Sequence, residues 1–247
     1  MTALARHPWT QLILAQWLNL AREPAYTLPT LLFPVLFYAF FGLLMIPGQA
    51  LWLLCTFATF GAVGAALFSF GVSIATERAQ GWLKLLRASP APVSAVIAGK
   101  AFGAALFALA IVALIGVLAA TFGGVRLQTG QWLALGGVLA VGTLPFALMG
   151  LTMGLWLSPN AAPAVINIVF LPMVFLSGLW IPASRFPDWL QPLPGWLPPY
   201  HLAELALQVA GARTVDWLRS LLVLLGYTAL FAGTTVAGWR RLDGVRR

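Results

Sequence analysis

The residues best suited to chemistry lie late in the chain, where His201 and Glu204 stand three positions apart and Asp188 precedes them. Residues at this spacing share one face of a helix, so the imidazole and the carboxylate could bind a metal ion or a substrate. Two ligands do not complete a metal site, and no recognised catalytic spacing surrounds them. A hydrogen-bonded surface pair is the simpler interpretation, and a membrane-embedded enzyme using this outer cluster is the alternative.

Polar residues inside the apolar stretches are few. Asn167 lies well within one of them, and we interpret it first as an interhelical hydrogen-bonding residue and alternatively as a contact on a substrate path. The single cysteine, Cys55, also lies in an apolar run and cannot form a disulfide within the chain.

The charged residues, 14 Lys and Arg with 6 Asp and Glu, are all predicted in loops or at the ends of apolar stretches. Ion-coupled carriers, proton pumps and haem enzymes place ionisable residues within the membrane. The phosphate-binding pattern G-x-x-x-x-G-K-[ST] is missing too, since Ala101 follows Lys100 and Ser94 replaces the first glycine. If ATP drives this protein, another polypeptide must bind it.

The composition indicates an integral membrane protein. The chain is 61% hydrophobic and 8% charged, with a mean hydropathy of +0.91. The net charge of +8 is scattered over the ends of apolar stretches, which favours anionic lipid headgroups over nucleic acid as its counterpart.

Stretches of about 20 apolar residues predict membrane spans. An amphipathic segment at 8–22 precedes them and is predicted to lie on the membrane surface, with a ragged extra span as the alternative. The proline- and tryptophan-rich stretch 182–199 is too broken for a regular helix, and a short helix is predicted at 200–212. The six predicted spans are 28–46, 51–75, 100–121, 132–157, 163–181 and 217–239.

Prolines and small residues predict local features of these spans. Pro34 and Pro145 are expected to kink the first and fourth spans. Gly61 and Gly64 in the second span, and the pair Gly150 and Gly154 in the fourth, would let another helix approach closely.

The distribution of Lys and Arg predicts that both termini face the cytoplasm, because cytoplasmic loops carry the excess of these residues. This orientation leaves four of the 14 outside: Arg126, Arg185, Arg213 and Arg219.

The longest charge-bearing segment between apolar runs is 76–90, TERAQGWLKLLRASP. As a helix it has a polar side with Glu77, Gln80, Lys84, Arg87 and Ala88, and an apolar side with Ala79, Trp82, Leu83, Leu85 and Leu86. Only Arg78 departs from this pattern. Such a helix can lie along the bilayer and present side chains to a soluble partner, although a loop that merely fixes topology is the alternative.

This segment resembles the first cytoplasmic loop of ABC-2 type transporter permeases, with its acidic Glu77, Gly81, a leucine-rich turn and a stop at Ser89-Pro90. Three other segments are similar to the same family in the same order: the opening Arg22-Glu23-Pro24, the exit Phe175–Pro182, and the stretch Leu197–Glu204. The chain departs from the family at Lys84, where many members carry an acidic residue.

The resemblance implies a single transmembrane domain over 1–247, with six transmembrane helices, an N-terminal interfacial helix, a cytoplasmic coupling helix and an outer re-entrant hairpin before the last span. It implies the permease subunit of an exporter, without an ATPase site of its own, for a drug, lipid or glycan type of substrate. A separate ATP-binding subunit, in two copies, would bind ATP and Mg, and a second permease chain would complete a homodimer in a bacterial inner membrane. The residues that would contact the ATPase are Glu77, Gly81, Trp82, Leu83, Lys84, Leu85, Leu86 and Arg87, and a channel or carrier outside this family is the alternative.

Overall fold

The computed structural model of the protein describes residues 24–46, 48–81 and 93–244. Within these ranges the regular elements are all helices, which confirms the all-helical prediction. The predicted surface helix at 8–22 and the coupling residues from 82 to 87 lie outside the described residues.

The described chain contains eight α-helices. Four stretches are long and apolar enough to cross a membrane: Ala50–Ala79, Ile97–Thr121, Thr129–Trp156 and Trp217–Arg241. There are two shorter apolar helices: Thr30–Met45 precedes the first of these stretches, and Ala162–Leu176 lies between the third and the fourth. The bounds are α1 Pro24–Phe37, which continues as a π-helix over Tyr38–Met45, α2 Ala50–Ala79, α3 Val93–Thr121, α4 Thr129–Gly142, α5 Leu144–Trp156, α6 Ala162–Leu176, α7 Pro198–Val209 and α8 Trp217–Gly244.

Helix α2 is the centre of the fold. It packs against α1, α3, α5, α6 and α7, and 78% of its most apolar 18 residues are buried, compared with 11% for α8. Lipid tails are as apolar as leucine, so α8 has no need to bury its apolar side chains against protein.

Glycines bring α2 and α5 into backbone contact. A Cβ atom added at Gly150 would lie 2.6 Å from the Leu67 carbonyl oxygen, and one at Gly154 would lie 2.7 Å from that of Gly71. The predicted role of this glycine pair in close helix packing is therefore confirmed. The prediction for Gly61 is confirmed as well, since its added Cβ would lie 2.6 Å from the Pro34 side chain.

Proline divides the fourth span. Helix α4 ends at Gly142, and α5 begins at Leu144 with Pro145 in its first turn, where a missing N–H costs nothing. The kink predicted at Pro145 is thus a break between two helices. At Pro34 the chain stays helical, and the helix becomes π-helical at Tyr38, one turn later.

The stretch after α6 is irregular, as predicted. It contains two short 3₁₀ turns, Ala183–Arg185 and Leu193–Trp196, and leads into α7, which confirms the short helix predicted near residue 200. Trp189 and Trp196 are exposed and suit a membrane interface. Trp180 instead packs against Phe37 and Phe60.

Candidate functional site

The candidate site is built at the end of α2, where the charged segment begins. Gln80 closes the helix with an N–H bond to the Thr76 oxygen, and the Gly81 N–H bonds the Arg78 oxygen. Gly81 has a φ of 77°, a left-handed conformation that glycine adopts without strain. Among the described residues, an added Cβ there would meet nothing within 4 Å, so the turn needs glycine for its backbone angle.

A buried ion pair joins α2 to α3 next to this turn. The Lys100 Nζ donates to Glu77 Oε1 and to Ser73 Oγ, each at 2.7 Å. Ser73 and Glu77 are four residues apart, so they lie on the same face of α2. Lys100 is only 1% exposed and the Glu77 side chain 20%, so the two helices that flank the charged segment are fixed together at its base.

This pair corrects the sequence-based placement of the charges. Lys100 was expected at the start of the third span, but α3 begins at Val93, and its ammonium therefore lies about two turns inside the helix. The second span was expected to end at residue 75, and α2 continues through Glu77 to Ala79. Two charges are tolerated inside the helices because each neutralises the other.

The Glu77 carboxylate has one further property. Its Oε2 atom is buried and has no hydrogen-bond partner within the described part of the chain. Oε1 is committed to Lys100. The contact predicted between Glu77 and an ATPase subunit stays a prediction.

The Arg78 side chain reaches the end of α5. Its guanidinium donates two bonds of 2.6 Å, from Nη1 to the Leu155 oxygen and from Nη2 to the Leu157 oxygen. These carbonyls stand at the C-terminal end of α5, where helices leave oxygens without intrahelical partners and carry partial negative charge. The departure of Arg78 from the amphipathic pattern was the sequence signal for this contact.

Helix α5 is in turn joined to α8 by polar contacts that the sequence analysis missed. Thr152 Oγ1 lies 3.0 Å from the hydroxyl oxygens of both Thr234 and Thr235. One turn further along α5, the Arg241 guanidinium carbon lies 4.7 Å from the centre of the Trp156 ring. Threonines are common in apolar helices, so this cluster becomes visible only when the two helices are placed side by side.

The His201 and Glu204 pair is not a surface pair and does not converge on one site. Both residues are buried. His201 Nε2 lies 3.0 Å from the Gly195 oxygen, and Nδ1 lies 3.1 Å from Ser220 Oγ. A carbonyl only accepts, so Nε2 carries the proton and Nδ1 accepts from the hydroxyl.

The neighbouring carboxylates bond elsewhere. Glu204 accepts a hydrogen bond from Arg213, and Asp188 accepts one from Gln191. Burial lowers the pKa of His201, the bond to Gly195 raises it, and the positive charge of Arg219 lowers it, with a net lowering. Among the described residues, no three His, Cys, Asp or Glu side chains are grouped to hold a metal ion.

Asn167 differs from its first interpretation. Its amide nitrogen donates to the Pro163 oxygen of its own helix at 3.2 Å, and the side chain is exposed. In the described part of the chain, Asn167 makes no hydrogen bond to another helix, because this face of α6 points outward.

Two comparisons with known proteins found similarity. A family model described as "ABC-2 type transporter" matches residues 8–210. The chain is 25% identical, over 224 residues, to the predicted transport permease YvfS of Bacillus subtilis (strain 168), covering 88% of this chain and 91% of that relative. Together with the apolar helices described above, these matches establish that the chain belongs to the ABC-2 type transporter family, as a multi-pass membrane permease that pairs with an ATP-binding subunit.

Proposed function

We propose that this chain is the permease subunit of an exporter that moves a hydrophobic or amphipathic substrate, such as a drug, lipid or glycan, out of the cytoplasm. ATP and Mg would be bound and hydrolysed on the separate subunit. The observation that carries this proposal is the buried Lys100–Glu77 pair. The pair holds together the two helices that flank segment 82–92. A push on this segment would therefore move both helices and not the segment alone.

The proposed architecture has six spans with both termini in the cytoplasm of a bacterial cell, in its inner membrane. The contacts between helix ends support this alternation. The end of α2 at Arg78 meets the end of α5 at Leu155, and Trp156 beside it meets Arg241 near the end of α8. All three ends belong to the side predicted to be cytoplasmic. At the opposite ends, Gln131 bonds the Ala210 oxygen.

The proposed coupling residues divide by chemistry. Trp82, Leu83, Leu85 and Leu86 would seat the helix, whereas Glu77, Lys84 and Arg87 would make polar contacts with the ATPase and Gly81 would supply the turn. Closure of the ATPase pair around ATP would push or rotate this helix, and α2 and α3 would carry the motion toward a pathway between two permease chains.

A second copy of this chain and two ATP-binding subunits would complete the transporter. The outward-facing Asn167 supports a partner against α6, because a polar amide on an apolar helix is better satisfied by protein than by lipid. Ile168 beside it is 70% exposed. Asn167 is thereby the candidate substrate contact, on a face that a partner chain would enclose.

Co-purification with the cognate ATP-binding subunit tests the proposal, using a matched pair of variants. Leu85→Asp places a charge on the predicted apolar face of segment 82–92, whereas Ala88→Asp places it on the polar face. We expect the first to lose the ATP-binding subunit and the second to keep it. Retention of the subunit by Leu85→Asp, or its failure to bind the wild-type chain, would overturn the proposal.

A further inference from the structure

We infer that Arg78 is a positioning residue that ties the last turn of α2, which leads into the coupling segment (residues 82–92), to α5. Movement of the coupling segment would then reach the fourth span and α8. This inference rests on the proposed function, because it assumes that an ATP-binding subunit moves segment 82–92. The Glu77–Lys100 pair joins α2 only to α3, on the other side of segment 82–92. The Arg78 contact adds a connection from α2 to α5.

The geometry of the contact suits a mechanical tie. Two nitrogens of one planar guanidinium bond two carbonyls, each at 2.6 Å, from residues 77 and 79 positions away. Two bonds from a rigid fork fix direction as well as distance, which a lysine ammonium does not do. The charge also faces the negative end of the α5 dipole.

Arg78 lies close enough to the coupling segment in the chain to be moved by it. It lies three residues before Gly81, where the left-handed turn opens the coupling segment. A rotation of the segment therefore acts on the last turn of α2, which carries the guanidinium. In the amphipathic pattern Arg78 lies outside the polar face that would meet the ATPase, and this leaves its side chain available to α5.

Helices α2 and α5 also pack closely along the turns that precede Arg78, and this packing resists sliding of one helix past the other. Their contact runs through Gly71, Gly150 and Gly154, where an added Cβ at either α5 glycine would meet α2 backbone within 3 Å. The nearest atom to each of these added Cβ positions is a backbone oxygen of α2. Packed interiors transmit displacement and do not absorb it. Arg78 completes the contact at its outermost point, where helix ends would otherwise fray.

The displacement has an onward path. Helix α5 carries Thr152 and Trp156, whose contacts with Thr234, Thr235 and Arg241 hold α8. The sequence of contacts is therefore α2, α5 and α8. Spatial continuity alone does not demonstrate coupling, so the test must measure movement of α5.

The test uses the complex of this chain with its ATP-binding subunit, carrying a nitroxide spin label at Asn160→Cys. Asn160 is exposed in the turn that follows Leu157, and the native Cys55 is buried, so the label reports the end of α5. The signal is the change in the label's spectrum on adding ATP with vanadate. Arg78→Ala removes the tie, and Arg78→Lys keeps the charge with a single nitrogen. Arg240→Ala is the matched control, because Arg240 is exposed and lies on the same predicted side.

We expect Arg78→Ala to reduce the ATP-dependent change at least fivefold while the ATP-binding subunit stays bound. Arg78→Lys should retain part of the change, and Arg240→Ala all of it. A full response in Arg78→Ala, or no response in a wild-type complex that holds its ATP-binding subunit, would overturn the inference. Loss of that subunit from both Arg78→Ala and Arg78→Lys would also overturn it, since Arg78 would then be a docking residue. A wild-type chain that binds no ATP-binding subunit would instead overturn the proposed function.

Discussion

The ammonium of Lys100 lies 2.7 Å from the carboxylate of Glu77, and the lysine is almost completely buried. Removing two charges from water is expensive, and their mutual attraction offsets this cost only while both are present. The pair therefore holds the base of the coupling segment more firmly than a surface ion pair would.

Lys100→Ala should lower stability by about 3–5 kcal/mol, since it leaves the Glu77 carboxylate buried without its counter-charge. The double variant Lys100→Ala with Glu77→Ala should be more stable than the single one, because no unpaired charge remains. Thermal unfolding in detergent measures both, with Arg240→Ala as the control. A double variant that is less stable than Lys100→Ala would contradict this account of the pair.

Gly81 and Gly124 form a matched pair of turn glycines. Both have positive φ, 77° and 66°, and an added Cβ at either meets nothing within 4 Å. Alanine at each should therefore cost about 1–2 kcal/mol from the left-handed backbone alone. Because Gly81 opens the coupling segment, only Gly81→Ala should also lower ATP hydrolysis by the assembled complex. Equal hydrolysis by the two variants would show that the Gly81 turn has no part in coupling.

Gly150→Ala should destabilise the fold by about 1–3 kcal/mol, because its Cβ would press on the Leu67 oxygen and force α2 and α5 apart. Gly137→Ala is the control, since Gly137 is also helical but has open space around it. There alanine should be neutral or stabilising by up to about 1 kcal/mol. The unfolding temperatures of the two variants test this difference, and equal values would rule out the close α2–α5 contact.

His201 should make stability fall in mild acid. Its pKa is lowered in the folded protein from the ordinary value of 6.5, so below that value the unfolded chain binds more protons than the folded one. Its contribution is complete above pH 6.5 and decreases as the pH drops toward the lowered pKa. His201→Gln should flatten the decrease in unfolding temperature between about pH 7.5 and pH 5. If wild type and variant decrease equally, His201 is not the group responsible.

The sequence was sufficient for the features that depend on local pattern. Apolar runs located the apolar helices, Pro145 located the break between α4 and α5, and Gly150 with Gly154 located the close contact, since each depends on residue type at a fixed spacing. It did not predict which charges meet. Hydropathy placed the start of the third span at Lys100, whereas α3 begins at Val93. Lys100 therefore lies inside the helix, where it pairs with Glu77.

The outer residues show the same limit. The spacing of His201 and Glu204 correctly placed both on one helix, but packing against other elements gave them separate partners, Ser220 with Gly195 and Arg213. Asn167 was correctly identified as unusual. Its exposure depends on which face of α6 the rest of the chain covers, and that is a property of the tertiary fold.

Photo-crosslinking tests directly whether the coupling segment contacts the ATP-binding subunit. Leu85 is replaced by a photoreactive amino acid, in membranes that contain the cognate ATP-binding subunit. Phe122, which is 74% exposed and lies on the opposite predicted side, is the control position. We expect a crosslink to the ATP-binding subunit from Leu85 and none from Phe122. No crosslink from Leu85 at full expression of both subunits, or an equal crosslink from Phe122, would contradict it.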